Sequence, residues 1–271
     1  MATGIDRANS NDLMMLATDV GSAPMQVGAI LVLDPGSRLE PATFRDAIAE
    51  RIRGVPRLRQ RLLRAPLGGG RPIWVDATDF EIGNHVLCVR CPAPGDEHAL
   101  LKVAAESVMD RLRTSRPLWS ATLVNGLNGD RSALIFVFHH VLADGIGGLA
   151  VLAGLADGAP VPRREDFPRP HPTRHQLYMD ALSSRARAIA HLGLGLRHVR
   201  GAVTELGLGG RTAAPIRSSL NQPTGARRSF AVARTDLAAV REVAHAHAAT
   251  VNDARPHLRG RRAARPAPQP R

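Results

Sequence analysis

Apolar residues run unbroken over residues 133–138 and predict a buried β-strand. That strand hands on to His139-His140, then to a short loop with Asp144-Gly145, then to a small-residue apolar run over 146–156 that predicts a helix. Upstream, residues 27–33 read as a strand closed by the turn signal Asp34-Pro35-Gly36. Residues 41–53 read as a helix capped by Thr43, because Phe44, Ile48 and Ile52 recur on one face. A basic connector follows over 56–62, and short strands are predicted at 72–75 and 82–89. A second helix spans 97–112 with Leu100, Val103, Ala104, Val108 and Leu112 inward. A strand at 121–126 then leads through an Asn128-Gly129 hairpin turn into the central strand.

Beyond the central stretch the pattern thins. Residues 158–172 are rich in proline and charge and read as a linker. Residues 182–203 predict a helix with Leu182, Ala186, Ile189, Leu196 and Val199 on one face and Arg185, Arg187, Arg197 and Arg200 on others. Such a basic amphipathic helix either packs on the domain or lies on an anionic lipid surface. A strand at 229–233 and a helix at 236–248, with Leu237, Val240 and Ala244 inward, come next. Thr250-Val251-Asn252-Asp253 has the form of a capping box, yet Pro256 falls where the first turns of its helix belong. Residues 254–271 carry no apolar period and read as a disordered tail, of the Arg/Ala/Pro-rich kind that an off-frame reading of GC-rich DNA yields.

Composition adds few constraints. The 271 residues are 44% hydrophobic but only 3% aromatic, so the core is expected to rest on Leu, Val, Ala and Ile. No stretch is apolar enough for long enough to span a bilayer, and the polar first residues do not form a signal peptide; the expected compartment is the cytoplasm. The net charge of +12 invites a nucleic-acid reading, but the arginines are scattered beside acids and no aromatic-interleaved basic stripe or zinc-finger spacing occurs. Half of the excess comes from six arginines at 255–271. No nucleic-acid partner is expected.

The chemistry concentrates at His139-His140 and Asp144-Gly145. Side chains alternate along a strand, so the two histidines are expected to do different jobs. A neutral imidazole at the rim of a rigid sheet can take a proton from a hydroxyl near neutral pH. Asp144 reads as a loop tie and Gly145 as the residue that lets the chain turn or leaves room for substrate. A packing pair is the plain alternative. Metal binding lacks a third ligand at suitable spacing, and no G-x-S-x-G marks a serine nucleophile. Cys88-Val89-Arg90-Cys91 has no partner pair and leads into Pro92, so it reads as incidental and as no disulfide.

These residues carry a resemblance. His139-His140-Val141-Leu142-Ala143-Asp144-Gly145 is similar to the HHxxxDG motif of CoA-dependent acyltransferases. Asn11-Asp12 to Gly28 with Pro24-Met25, the run Pro56 to Leu62, Trp74-Val75-Asp76, Pro117-Leu118-Trp119 and Thr250 to Asp253 resemble the bacterial wax ester synthase/diacylglycerol acyltransferases more narrowly. The resemblance covers about residues 8–253. It implies an α/β fold with a mixed sheet, in which a chloramphenicol-acetyltransferase-like first half (1–158) is followed by a linker (159–228) and only the start of a second half (229–253). It further implies that His140 is the general base, supported by His139, Asp144 and Gly145. The substrates it implies are long-chain acyl-CoA with diacylglycerol or a fatty alcohol, reached at the membrane or lipid-inclusion surface, with no cofactor and no metal. Two other outcomes stay open: transfer from a carrier-protein thioester, and a truncated chain that binds lipid surfaces without turnover.

Overall fold

A computed structural model describes residues 4–34, 40–142, 167–190, 225, 227–247 and 249–251. The predicted helix at 146–156, Asp144, Gly145, Arg197, Arg200, Asn252, Asp253 and the tail lie outside the described residues.

The elements follow the order α1 (Ser10–Thr18), β1 (Gln26–Leu33), α2 (Pro41–Arg51), β2 (Gln60–Leu63), β3 (Ile73–Asp76), β4 (Val86–Arg90), α3 (Glu97–Met109), β5 (Trp119–Leu127), β6 (Arg131–His139), α4 (Arg174–Ala190) and α5 (Leu237–Ala246), with short 3₁₀ turns between. Four strands form one sheet in the order β1-β6-β5-β4, and β2 pairs with β3 separately. The apolar run is therefore an interior strand: β6 is antiparallel to both neighbours, while β4 and β5 are parallel. The mixed sheet of the α/β expectation is present.

The period-two alternation of β6 sorts its side chains between two helices. Phe136 and Phe138 pack with Phe44 and Ile48 from α2 and with Ile52 from the 3₁₀ turn that follows it, the residues the helical period singled out. Ala133, Ile135 and Val137 pack with Ala99, Leu100 and Ala104 of α3 on the opposite face. Few as they are, the aromatics stack: Trp119 lies 5.5 Å from Phe136 and 4.6 Å from His85, which in turn lies 5.1 Å from Phe80. Gly28 of β1 is where α3 comes closest, since a Cβ there would meet Val108 Cγ2 at 2.7 Å.

Several expectations need correcting. Thr43 does not cap α2; Glu40 is the N-cap without a side-chain bond and Pro41 takes the first turn, where its missing N–H costs nothing. The basic connector contains strand β2, whose residues Gln60 to Leu63 pair with β3. The strand expected at 82–89 begins only at Val86, after a 3₁₀ turn at Ile82–Asn84. Part of the expected linker is clamped: the guanidinium and amide of Arg169 donate to the buried carboxylate of Asp76, which also accepts from Gln60. Although burial alone would raise it, these bonds hold the Asp76 carboxyl far below its ordinary value.

α4 starts earlier than expected, in a capping box of Thr173 with Gln176. It docks by the other stripe: Leu177 and Ala181 are buried, Leu177 against Ile73 and Val75, while Leu182 and Ile189 are 56% and 73% exposed. An ion pair between Arg7 and Asp180 fixes that phase.

The chain falls into two compact units, Met1–Ser229 and Phe230–Arg271. Residues 229–233 form no strand, because no described segment pairs with them. The Asp236 side chain caps α5 by accepting from Ala239 N–H, with Val240 and Ala244 inward but Leu237 exposed. No helix among the described residues is long and apolar enough to cross a membrane.

Candidate active site

The strand directions bring one end of the sheet together. β6 ends there at His139, β1 begins there at Gln26, and β5 begins there at Trp119. His139 is 4% exposed. Its Nδ1 accepts from the Val141 amide at 3.0 Å, so its proton must sit on Nε2, which faces Asp19 Oδ2 at 3.4 Å. Burial pushes the His139 pKa below its ordinary value; Asp19 opposes this, while His140 and Arg111 add to it. His139 is thus a neutral imidazole with both nitrogens engaged. It has no lone pair to offer a substrate.

His140 leaves the strand for a 3₁₀ turn, His140–Leu142. Its amide donates to the Met25 carbonyl at 2.8 Å, which pins the backbone. Its ring Nδ1 is buried yet has no hydrogen-bond partner among the described residues. The two rings thus differ in bonding: His139 is engaged at both nitrogens and the buried Nδ1 of His140 is not.

Asp19 was not legible as a functional residue. It lies 120 positions before His139 and only the fold joins them. Its carboxylate accepts from the Met25 amide at 3.0 Å and from Arg111 Nη1 at 2.9 Å, and Arg111 Nη2 donates to the Gly21 carbonyl. Burial alone would raise the Asp19 pKa, but the Met25 and Arg111 bonds hold it below its ordinary value. The Met25 backbone therefore links Asp19, through its N–H, to His140, through its carbonyl, and the Asp19 carboxylate touches His139. Gln26 completes this end: its amide donates to the Val108 and Asp110 carbonyls and its Oε1 accepts from Leu112 N–H, tying the end of α3 to the start of β1.

Two tryptophans from the other matched stretches are held within the fold. Trp119 is 1% exposed and donates from Nε1 to the Leu58 carbonyl at 2.7 Å. Trp74 donates to Asp12 Oδ2, and the Arg57 guanidinium lies 4.2 Å from the centre of its ring. Burial raises the thiol pKa of both Cys88 and Cys91, so neither is an activated nucleophile. Among the described residues no group of His, Cys, Asp and Glu could hold a metal ion.

Comparison with known proteins bears on the family. The sequence profile of the wax ester synthase/diacylglycerol acyltransferase catalytic domain matches residues 9–255. Two Mycobacterium tuberculosis proteins named as diacylglycerol O-acyltransferases are similar to this chain. One, tgs1, is 32% identical over 84% of this chain and 50% of its own length. The other, tgs3, is 30% identical over 86% of this chain and 93% of its own. The chain thus spans about half the length of most curated relatives it matches. The wax ester synthase/diacylglycerol acyltransferase of Marinobacter aquaeolei VT8 shares the fold at TM-score 0.59 and 23% identity, covering 92% of this chain and 57% of that one. On this match of sequence across most of its length, the chain belongs to the wax ester synthase/diacylglycerol acyltransferase family.

Proposed function

We propose that this chain transfers a long-chain acyl group from acyl-CoA to the hydroxyl of diacylglycerol or of a fatty alcohol, with His140 as general base. The observation that carries the reading is the contrast between the histidines: His139 has both nitrogens engaged, while the half-buried His140 ring makes no hydrogen bond to any described residue. A base needs a free lone pair within reach of the hydroxyl proton. In the proposed step His140 removes that proton as the oxygen attacks the thioester carbonyl. The tetrahedral intermediate collapses, the C–S bond breaks, and the CoA thiolate takes the proton back from His140. His139 and the Asp19 carboxylate hold the turn that carries His140. Asp144 and Gly145 keep the loop roles that the motif assigns them. No cofactor takes part.

The acceptors are lipids, and the surface of α4 supports a peripheral reading. Met179, Leu182 and Ile189 form an exposed apolar stripe beside Arg185 and Arg187. Leu67, 98% exposed, tips the loop whose carbonyl accepts from the Tyr178 hydroxyl. Apolar side chains flanked by arginines suit an anionic lipid interface.

The test is acyl transfer by the purified chain from long-chain acyl-CoA to diacylglycerol and to a fatty alcohol. The expected result is turnover that falls at least about a hundredfold in His140→Ala, the scale of a lost general base. Turnover that survives His140→Ala unchanged refutes the assignment. A folded chain that co-sediments with anionic vesicles but never turns over identifies a lipid-surface fragment instead.

A further inference from the structure

A second constellation lies outside the histidine turn. His85 is 3% exposed and stacked between Phe80 and Trp119, where nothing in the sequence marked it for a role. Its Nδ1 lies 2.9 Å from the Trp119 carbonyl oxygen, which can only accept, so Nδ1 carries the proton. Burial pushes the His85 pKa below its ordinary value; the Trp119 carbonyl opposes this and Arg116 adds to it, so the ring is neutral and Nε2 holds a lone pair. That nitrogen has no hydrogen-bond partner among the described residues.

His85 lines a cavity of about 390 Å³ between the end of α3 and the starts of β4 and β5. Arg111, Arg113 and Arg116 line it too, with one acid, Asp110. Arg111 is committed to Asp19, but Arg113 and Arg116 have no carboxylate partner among the described residues. The buried hydroxyl of Thr122 and that of Ser120 complete the polar wall. The cavity therefore offers unpaired cationic forks and a neutral ring acceptor side by side. The forks select a phosphate. The acceptor selects an O–H or N–H donor carried on the same molecule, because a bare anion would leave the Nε2 lone pair unmatched.

We propose that this cavity binds a phosphate ester whose carbon skeleton carries a hydroxyl or amide donor, with Arg113 and Arg116 on the phosphate and His85 Nε2 accepting from the donor. Two sources have that chemistry: the phosphopantetheine arm of CoA, and a small polyol phosphate. Assigning the site to CoA rests on the acyl-transfer reading; the phosphate site itself does not.

The experiment titrates the intact chain with CoA, glycerol 3-phosphate, and their unphosphorylated counterparts pantetheine and glycerol. Calorimetry reads affinity, and long-range ¹⁵N–¹H spectra read His85 Nε2. At least one phosphate ester is expected to bind and move the His85 Nε2 resonance, with its counterpart at least tenfold weaker. Arg113→Gln/Arg116→Gln is expected to weaken binding at least tenfold. Arg64→Gln/Arg90→Gln removes the same charge elsewhere and should change it less than twofold. CoA binding assigns the site to the donor; binding of glycerol 3-phosphate alone leaves the site standing and takes it away from the donor. The proposal is overturned if neither ester binds, if the counterparts bind equally, if both double variants weaken binding alike, or if the His85 signal does not move. Failure of acyl transfer with phosphate-ester binding intact would strike the proposed reaction and not this site.

Discussion

Asp19→Asn tests whether a carboxylate distant in sequence organises the histidine turn. The change keeps shape and one carbonyl oxygen, so the bond from the Met25 amide can survive. What goes is the charge. The Arg111–Asp19 pair is part-exposed, with side chains 46% and 20% accessible, so solvent screening limits it to about 0.5–1 kcal/mol. The long 3.4 Å contact from His139 adds about 0.5–1 kcal/mol. The variant should therefore lose about 1–2 kcal/mol at pH 7, where Asp19 is ionised and His139 neutral. The pH dependence sharpens the test. Asp19's pKa is depressed on folding, so its contribution is present above the ordinary value of 3.8 and lost as pH falls through the lower folded value. His139 is also depressed on folding, so its neutral burial is stabilising above the ordinary 6.5 and is lost as pH falls from there toward its folded value. Without Asp19, which raises His139, that folded value drops further and the loss continues to lower pH. The difference between wild type and variant should thus grow as pH falls below the folded His139 value, and shrink again as pH falls below the ordinary carboxylate value of 3.8. Urea unfolding at several pH values, read by the fluorescence of Trp74 and Trp119, measures it. A difference that is flat with pH, or below about 0.3 kcal/mol throughout, would show that Asp19 does not engage the turn.

Three further substitutions report on the frame that carries the site. Phe136→Ala empties a fully buried position between Trp119 and Phe138 and should cost about 3–5 kcal/mol, seen as a large drop in the urea midpoint. Asp76→Ala strands the buried Gln60 amide and breaks the ion pair with Arg169, and should cost about 3 kcal/mol, the low end for a broken buried pair because Arg169 is a quarter accessible. Asp76 is depressed on folding, so its share is lost below the ordinary 3.8, and the variant's stability curve should be flatter there than that of wild type. Gly95→Ala must place a Cβ 2.6 Å from the Gly126 carbonyl oxygen at φ +76°, and should lower the thermal midpoint by at least the equivalent of about 1 kcal/mol.

The sheet was legible where burial is symmetrical and local. The unbroken run of β6 is flanked by strands on both sides and by helices on both faces, so every position is apolar and the pattern speaks for itself. α2 was legible because one stripe, Phe44, Ile48 and Ile52, meets one surface. α4 was misread in phase because it carries two apolar stripes. Leu182 and Ile189 repeat as well as Leu177 and Ala181, and what decides between them is the Arg7–Asp180 pair across 173 positions. β2 was hidden by arginines, whose long stems lie along apolar surface while their charge makes the segment read as solvent. The predicted strand at 229–233 failed for the opposite reason: strand formers such as Phe230 and Val232 favour that geometry only when a neighbour supplies the ladder.

The site divides along the same line. The His139-His140 pair announced itself because its chemistry is adjacent in sequence, but which histidine is free is a question of tautomer, and the tautomer is fixed by partners. One partner, the Val141 amide, is local and could have been guessed from a tight turn after the strand. The other, Asp19, comes from the connection between α1 and β1 and arrives only because β1 pairs with β6 in a register that sets Gln26 opposite His139. The same register brings the Met25 carbonyl to the His140 amide. A one-residue slip of β1 would exchange its inward and outward side chains and carry both partners away from the turn. Residues that only order the strand, such as Gly28 beneath Val108, therefore act on the histidines at a distance: a Cβ there meets the Val108 side chain at 2.7 Å, so Val108 must shift, and its carbonyl is one of the acceptors of the Gln26 bonds that tie this end of the sheet.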